Sequence, residues 1–193
     1  MPLGRQAKIL TKGQIEAALS YVEKTRHPIR NRVILLLSVK AGLRAKEIAA
    51  LTWEMVTDAS GKIGTAIHLP DTASKGRSGR IIPLNGALKQ ALAAWIEISD
   101  RASTYVITTE RSSHTSAQAI VNLFGQWYDE LGFVGASSHS GRRTFITNAA
   151  RKIPGVGGSL RDIQLLAGHS SLRTTQRYIE ADAEAQKKVV QLI

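Results

Sequence analysis

Apolar residues recur at helical spacing along most of the chain. Ile15, Ala18, Leu19 and Val22 form one stripe behind Thr11 and Gln14, a capping-box pair, and predict a first helix. Pro28 opens a second, whose run Val33-Ile34-Leu35-Leu36-Leu37 has no polar face and predicts a fully buried element stopped at Gly42. Ala45 to Leu51 reads as a short helix directly after Arg44. Leu88, Leu92 and Trp95 lie at i, i+4 and i+7, and Ile120, Phe124, Trp127 and Leu131 repeat that spacing before Gly132. These aromatic stripes read as core. A helix from Ser140 to Arg151 is broken by the glycine-rich stretch Pro154 to Gly158. Ser159 with Asp162 caps another that ends near Gly168, and Thr174 to Asp182 reads as a further helix carrying Tyr178.

Between Met55 and Leu84 the pattern changes. Gly61, Gly64, Pro70, Gly76, Gly79 and Pro83 punctuate short β-prone runs, Thr65 to Leu69 and Arg80 to Ile82. This predicts a small antiparallel sheet, with Lys75 to Gly79 as a basic turn between two strands. The expected fold class is therefore α+β: mostly helical, with a small antiparallel β-sheet in the N-terminal third. Residues 133–138 read as a loop rather than a domain junction.

Charge narrows the partner. The 193 residues hold 26 Lys and Arg against 15 Asp and Glu, a net charge of +11, with a sequence pI near 10.3. Such an excess points to a polyanion, most simply nucleic acid, although a basic soluble protein of another kind has the same composition. Aromatic residues at 5% argue against a surface that stacks many unpaired bases. The absence of cysteine excludes disulfides, zinc fingers and thiol nucleophiles. Met1 to Gln6 has no apolar signal core, and the Val33–Leu37 run falls far short of the ~20 residues that span a bilayer. An intracellular, cytoplasmic location is the expectation.

Several residues suggest chemistry on a phosphodiester. Such a cleavage must stabilise charge on the phosphoryl oxygens, deprotonate a nucleophile and protonate the leaving alkoxide. No metal site is apparent, since His139 and His169 lie thirty residues apart with no carboxylate at ligand spacing beside either. Guanidinium groups could replace a metal, because each presents a planar, permanently charged fork to two oxygens. A tyrosine, with its ordinary pKa near 10, needs a base or cationic surroundings to attack. A lysine in a turn could protonate the leaving oxygen. Taken singly, each residue has a structural reading. Arg44 could sit exposed at a helix start, Glu47 could be an ordinary surface glutamate, and His139 could cap a helix. His169 could pack beside Gly168, and Tyr178 could be a core aromatic. Lys75 competes with Arg77 and Arg80, which could all grip a DNA backbone. Tyr21, Tyr105 and Tyr128 lie in apolar surroundings without a neighbouring histidine and arginine, and Gly76-Arg77-Ser78-Gly79 fits neither a nucleophile elbow nor a nucleotide loop.

Four boxes in order carry a resemblance. Ala41-Gly42-Leu43-Arg44-Ala45-Lys46-Glu47, Lys75 ahead of Arg80-Ile81-Ile82-Pro83-Leu84, His139-Ser140-Gly141-Arg142, and Leu166-Ala167-Gly168-His169 through Tyr178 resemble the catalytic domain of the tyrosine recombinases, or phage integrase family. The resemblance covers nearly the whole chain. It implies that Tyr178 attacks the scissile phosphate, forming a 3′-phosphotyrosyl bond and freeing a 5′-hydroxyl. It further implies that Arg44 and Arg142 hold the non-bridging oxygens and that His169 donates a hydrogen bond. His139 would assist proton transfer at the nucleophile, Lys75 would protonate the departing oxygen, and Glu47 would orient Arg44. Neither ATP nor a divalent metal would be needed. Arg77, Arg80 and Arg143 are expected DNA contacts.

The resemblance also implies duplex DNA as substrate, a homotetramer on DNA, and accessory DNA-bending proteins as candidate partners. Residues 1–182 would form the catalytic domain. Relatives carry an additional N-terminal helical domain for which the residues before Arg44 leave no room, so the chain is expected to be a fragment or a minimal recombinase. Residues 183–193, apolar at Val189, Val190, Leu192 and Ile193, would form a tail docking on a neighbouring protomer. A type IB topoisomerase would use the same chemistry as a monomer. The competing class is a non-catalytic DNA-binding regulator or decayed recombinase, and a basic RNA-binding domain is a third reading.

Overall fold

The all-apolar run of the second helix becomes the axis of the molecule. In the computed structural model, which describes residues 7–73, 79–100, 102–110, 112–178 and 190–191, helix α2 spans Pro28–Ala41. Val33 to Leu37 are at most 1% exposed. It is covered by α1 (Lys12–Val22), α3 (Ala45–Ala49), α4 (Gly86–Ile98) and α6 (Ser140–Lys152). The Thr11–Gln14 capping box forms as the sequence predicts. Gly42 ends α2 in the left-handed region at φ 64°, which a side chain would strain.

Strands β1 (Ala66–Leu69) and β2 (Arg80–Pro83) pair antiparallel, with Leu69 opposite Arg80 and Ile67 opposite Ile82. The sheet starts just past the N-terminal third of the chain. Ile67, Leu69, Ile82 and Arg80 face inward, while Ile81 is 60% exposed. The turn between the strands, with Lys75 and Arg77, lies outside the described residues, but Asp71 Oδ1 accepts from the Gly79 N–H across its base at 2.8 Å.

Helix α5 (Ala117–Glu130) packs Ile120, Phe124, Trp127 and Tyr128 into the same core, against α3 and α1. Helices α6 and α7 (Leu160–Ala167) form a smaller apolar cluster of Ile146, Ile163 and Ala167, onto which Phe145 and Tyr178 pack, and α8 (Leu172–Gln176) packs on α7. A 3-10 turn at Ile153–Val156 continues α6 where the sequence suggests only a loop. The helix expected over Ala45 to Leu51 stops at Ala49, where Ala50 leaves helical geometry. The helix expected over Thr174 to Asp182 is also corrected. Helix α8 begins at Leu172 and ends at Gln176, so Tyr178 sits in the turn beyond it, its N–H donating to Thr175. Residues 179–182 and most of the expected tail lie outside the described residues.

Candidate active site

Three of the four boxes place their functional residues at or beside a helix end, and Lys75 of the remaining box lies outside the described residues. Arg44 is the residue before α3, and the first turn of that helix brings Glu47 back beneath it. Glu47 Oε2 accepts from the Arg44 backbone N–H at 2.8 Å, and Oε1 accepts from Arg44 Nη1 at 2.9 Å. Arg80 takes the other positions: its Nη1 donates to Oε1 and its Nη2 to Oε2, both at 3.0 Å. The carboxylate thus receives four hydrogen bonds, its full lone-pair capacity. Glu47 is 1% exposed and Arg80 9%. Burial pushes the Glu47 carboxyl up, but the hydrogen bonds and charge of Arg80, then those of Arg44, outweigh it and hold the pKa below the ordinary value.

Arg80 therefore departs from its expected place among the DNA contacts. Its Nε also donates to the Leu166 carbonyl at 2.9 Å, so the guanidinium is committed to protein groups and turned away from solvent. Strand alternation explains this, because Arg80 shares the inward parity of Ile82. The same parity was legible in Arg80-Ile81-Ile82-Pro83.

Helix α6 supplies the next group. Its start is set by Ser137 and Ser140, whose backbone and hydroxyl groups bond reciprocally. His139 precedes the helix, exposed, and its side chain makes no cap bond. Arg142, 4% exposed, donates from Nη1 to the Gly42 carbonyl at 2.6 Å and from Nη2 to the Ala167 carbonyl at 2.5 Å. These carbonyls come from the ends of α2 and α7, so one side chain joins three helices. Burial, followed by the nearby charge of Arg44, pushes the Arg142 pKa down to about 10. Arg143 is half-buried, and its Nη1 donates to the Ala7 carbonyl at 3.0 Å.

The left-handed turn at Gly168 presents His169. Its ring is stacked on Tyr178, with centroids 5.4 Å apart, and its Nδ1 is the hydrogen-bond partner of Thr175 Oγ1 at 3.0 Å. Burial, then the charges of Arg142, Arg44 and Arg80, push the His169 pKa down to about 4. The imidazole is thus neutral at physiological pH and can direct one N–H toward an anion. Thr147 Oγ1 donates to the Tyr178 carbonyl at 3.1 Å, fixing the tyrosine's backbone from α6.

A cleft of about 440 Å³ collects these groups: Arg44, His139, Arg142, Arg143, His169 and Tyr178 line it, joined by Thr174 and Arg177. Sequence reasoning assigned no role to Thr147, Thr175 or Arg177. Two of the three lie within three residues of Tyr178, which was the available signal. Tyr178 is the only one of the four tyrosines on this cleft. Tyr128 is buried in the main core, which raises its pKa and disqualifies it as a nucleophile. No group of His, Asp or Glu suited to a metal occurs among the described residues.

Electrostatically the floor is unbalanced. Arg44, Arg80 and Arg142 lie near a single carboxylate, Glu47, which bonds to the first two. The surplus positive charge lies beside the cleft that Arg44 and the buried Arg142 line, and suits a phosphoryl group.

The sequence and the fold have known relatives. The family model for the phage integrase family matches residues 8–185. The tyrosine recombinase XerA of Thermococcus onnurineus is 30% identical over 184 residues, covering 94% of this chain and 61% of its own length. Tyrosine recombinase XerC of Chlamydia trachomatis is 30% identical over 166 residues, covering 83% of this chain and 49% of its own. The chain thus spans roughly half to three-fifths of the length of these relatives. A crystal structure of XerA recombinase superposes with a TM-score of 0.74 at 21% identity, covering 95% of this chain and 64% of that one. The Tn1549 transposon integrase, solved with circular-intermediate DNA, gives 0.76 at 19% identity, covering 100% of this chain and 68% of that one.

Proposed function

We propose the following chemistry on the premise that fold and sequence supply, for this chain belongs to the phage integrase family. It cuts and rejoins duplex DNA at specific sites. The observation that carries this reading is the convergence of Arg44, His139, Arg142, His169 and Tyr178 on one cleft. Arg44 and Arg142 bind the non-bridging oxygens of the scissile phosphate, and neutral His169 donates a further hydrogen bond. The Tyr178 oxygen attacks phosphorus as the bond to the 5′ oxygen breaks, leaving a 3′-phosphotyrosyl link. The phenolic proton passes toward His139, and the departing 5′ oxygen takes a proton from Lys75. A 5′-hydroxyl of another strand then attacks the link, releases Tyr178 and restores a phosphodiester. One phosphodiester is exchanged for a phosphotyrosine and then restored, so the cycle needs no ATP, and Arg44 and Arg142 take the place a metal would fill.

The partner is duplex DNA, engaged by two pairs of protomers in a tetramer, with residues 1–182 as the catalytic unit. Residues 183–193 dock on the adjacent protomer, and accessory proteins that bend DNA assist synapsis. The protein acts on the nucleoid.

Trapping tests the chemistry. The protein is incubated with fragmented source-genome DNA in EDTA, denatured in SDS, and the DNA that stays attached is sequenced. Adducts from the native protein and none from Tyr178→Phe, with DNA retention equal under native conditions, are expected. Equal retention without any adduct would favour the non-catalytic DNA-binding class.

A further inference from the structure

Arg80 is a buried charged side chain at the site that the proposed chemistry leaves unused. It sits on β2 and bonds to α3 and to the end of α7. Its Nη groups hold both oxygens of Glu47, and its Nε holds the Leu166 carbonyl. Glu47 in turn holds both the guanidinium and the backbone N–H of Arg44. Leu166 adjoins Ala167, whose carbonyl receives Arg142, and the Gly168 turn that presents His169 follows directly. One buried guanidinium therefore connects the strand that follows the Lys75 turn to the supports of three cleft residues.

We infer that Arg80 is a positioning residue, which sets the Glu47 carboxylate and the end of α7 so that Arg44, Arg142 and His169 meet one phosphoryl group. The inference rests on the reading of the cleft as a phosphodiester site. Its physical ground is geometry. Glu47 has two oxygens and two arginines to orient. Without a planar fork fixing the carboxylate plane, Arg44 Nη1 would follow a rotating partner. Lysine cannot replace Arg80, since one ammonium cannot span both carboxylate oxygens and the Leu166 carbonyl in the same planar arrangement. Misplacing a reacting group by about 1 Å can lower a rate ~100-fold. The buried site also removes Arg80 from the DNA, so its loss should leave affinity and salt dependence alone.

The test uses Arg80→Lys and the pair Arg80→Met with Glu47→Leu. The pair removes a buried ion pair as a unit, a change that is often neutral for stability. The substrate is a duplex carrying the site recovered by adduct trapping. In Arg80→Lys, single-turnover cleavage at saturating protein should fall at least about tenfold. The DNA Kd should stay within about twofold, with an unchanged log–log salt slope. The paired variant should melt near the native temperature yet cleave as slowly as the single one. An independent reading comes from NMR of the Arg44 guanidinium: separate Nη resonances in the native protein, averaged in Arg80→Lys.

Recovery of full cleavage in the paired variant would reduce Arg80 to a strut. A salt slope lowered by about 0.9 would make it a phosphate contact instead. If the paired variant does not fold, a near-native cleavage rate in Arg80→Lys overturns the inference by itself. If the native protein gives no Tyr178-dependent adduct, the phosphodiester reading fails, while the Arg44 resonances still decide whether Arg80 holds Glu47 and Arg44.

Discussion

A close helix contact beside the cleft gives a quantitative test. Gly141 lies between His139 and Arg142 in the first turn of α6, where α6 crosses α2. A Cβ placed there would stand 2.2 Å from Ser38 Oγ, 2.9 Å from Ser38 Cβ and 3.1 Å from Val39 Cγ1. The hydroxyl could rotate away, but Ser38 Cβ is fixed on the buried helix α2. Carbon atoms prefer separations of about 3.5–4.0 Å, so Gly141→Ala must part the helices by roughly 0.6–1 Å. Overpacking of this kind costs about 1–3 kcal/mol, and alanine recovers about 0.5–1 kcal/mol of helix propensity. A net loss of up to about 2.5 kcal/mol remains, or at most roughly 10 °C in Tm for a domain of this size. The larger consequence falls on Arg142, which moves with the same turn. Its bonds to Gly42 and Ala167 at 2.6 and 2.5 Å leave little slack. Single-turnover cleavage should drop about 10–100-fold. Ser38→Gly in the same chain removes both Ser38 contacts and should recover most of the rate, at a helix-propensity cost of about 0.5–1 kcal/mol. Scanning calorimetry and adduct formation read the two effects. A Gly141→Ala protein that melts and cleaves like the native one would show that α2 and α6 are not in close contact here.

Three further outcomes follow from the same geometry. Glu47→Ala leaves Arg80 buried without its carboxylate and should cost about 3–5 kcal/mol, read as a lower urea midpoint; a change under about 1 kcal/mol would mean the cluster is solvated. His169, with a folded pKa near 4 against about 6.5 unfolded, is favoured neutral by the fold, so its stabilisation is present above about pH 6.5 and is lost as pH falls toward 4. Urea midpoints from pH 7.5 to 4.5 should therefore fall more steeply for the native protein than for His169→Gln, and parallel curves would contradict the buried, arginine-flanked placement. DNA affinity should decline with salt at a log–log slope of about −0.9 per phosphate neutralised, and a Kd indifferent to salt would remove the electrostatic grip.

Local signals carried most of the fold. The Thr11–Gln14 box, the apolar run of α2, the Gly42 stop and the Ser159–Asp162 cap each depend on residues close in sequence, and each forms. The end of the chain behaves differently. Tyr178 reads as helical because Thr174 to Asp182 has no breaker. Its ring instead packs on the α6–α7 cluster and against His169, from the turn after α8. That contact spans elements and leaves no periodic trace. The cleft itself was legible through ordered boxes, and Arg44, His139, Arg142, His169 and Tyr178 line one cavity. What each box could not show was the support of its arginine: the carbonyls of Gly42 and Ala167 that hold Arg142 come from remote helix ends.

Arg80 shows where residue-type reasoning fails and pattern reasoning would have succeeded. A basic residue beside a basic turn invites the reading of a phosphate contact, since arginine is seldom buried. Strand parity argues the reverse, because Arg80 is two residues from buried Ile82 and opposite buried Leu69. The inward Arg80 meets a buried carboxylate: Glu47, three residues after Arg44 and inward on α3, supplies it. The two departures from ordinary burial explain each other, as each charge offsets the desolvation of the other. Glu47 then has oxygen lone pairs left for Arg44 only, so the surplus positive charge is displaced into the cleft, onto Arg44 and Arg142, where a phosphoryl group would neutralise it.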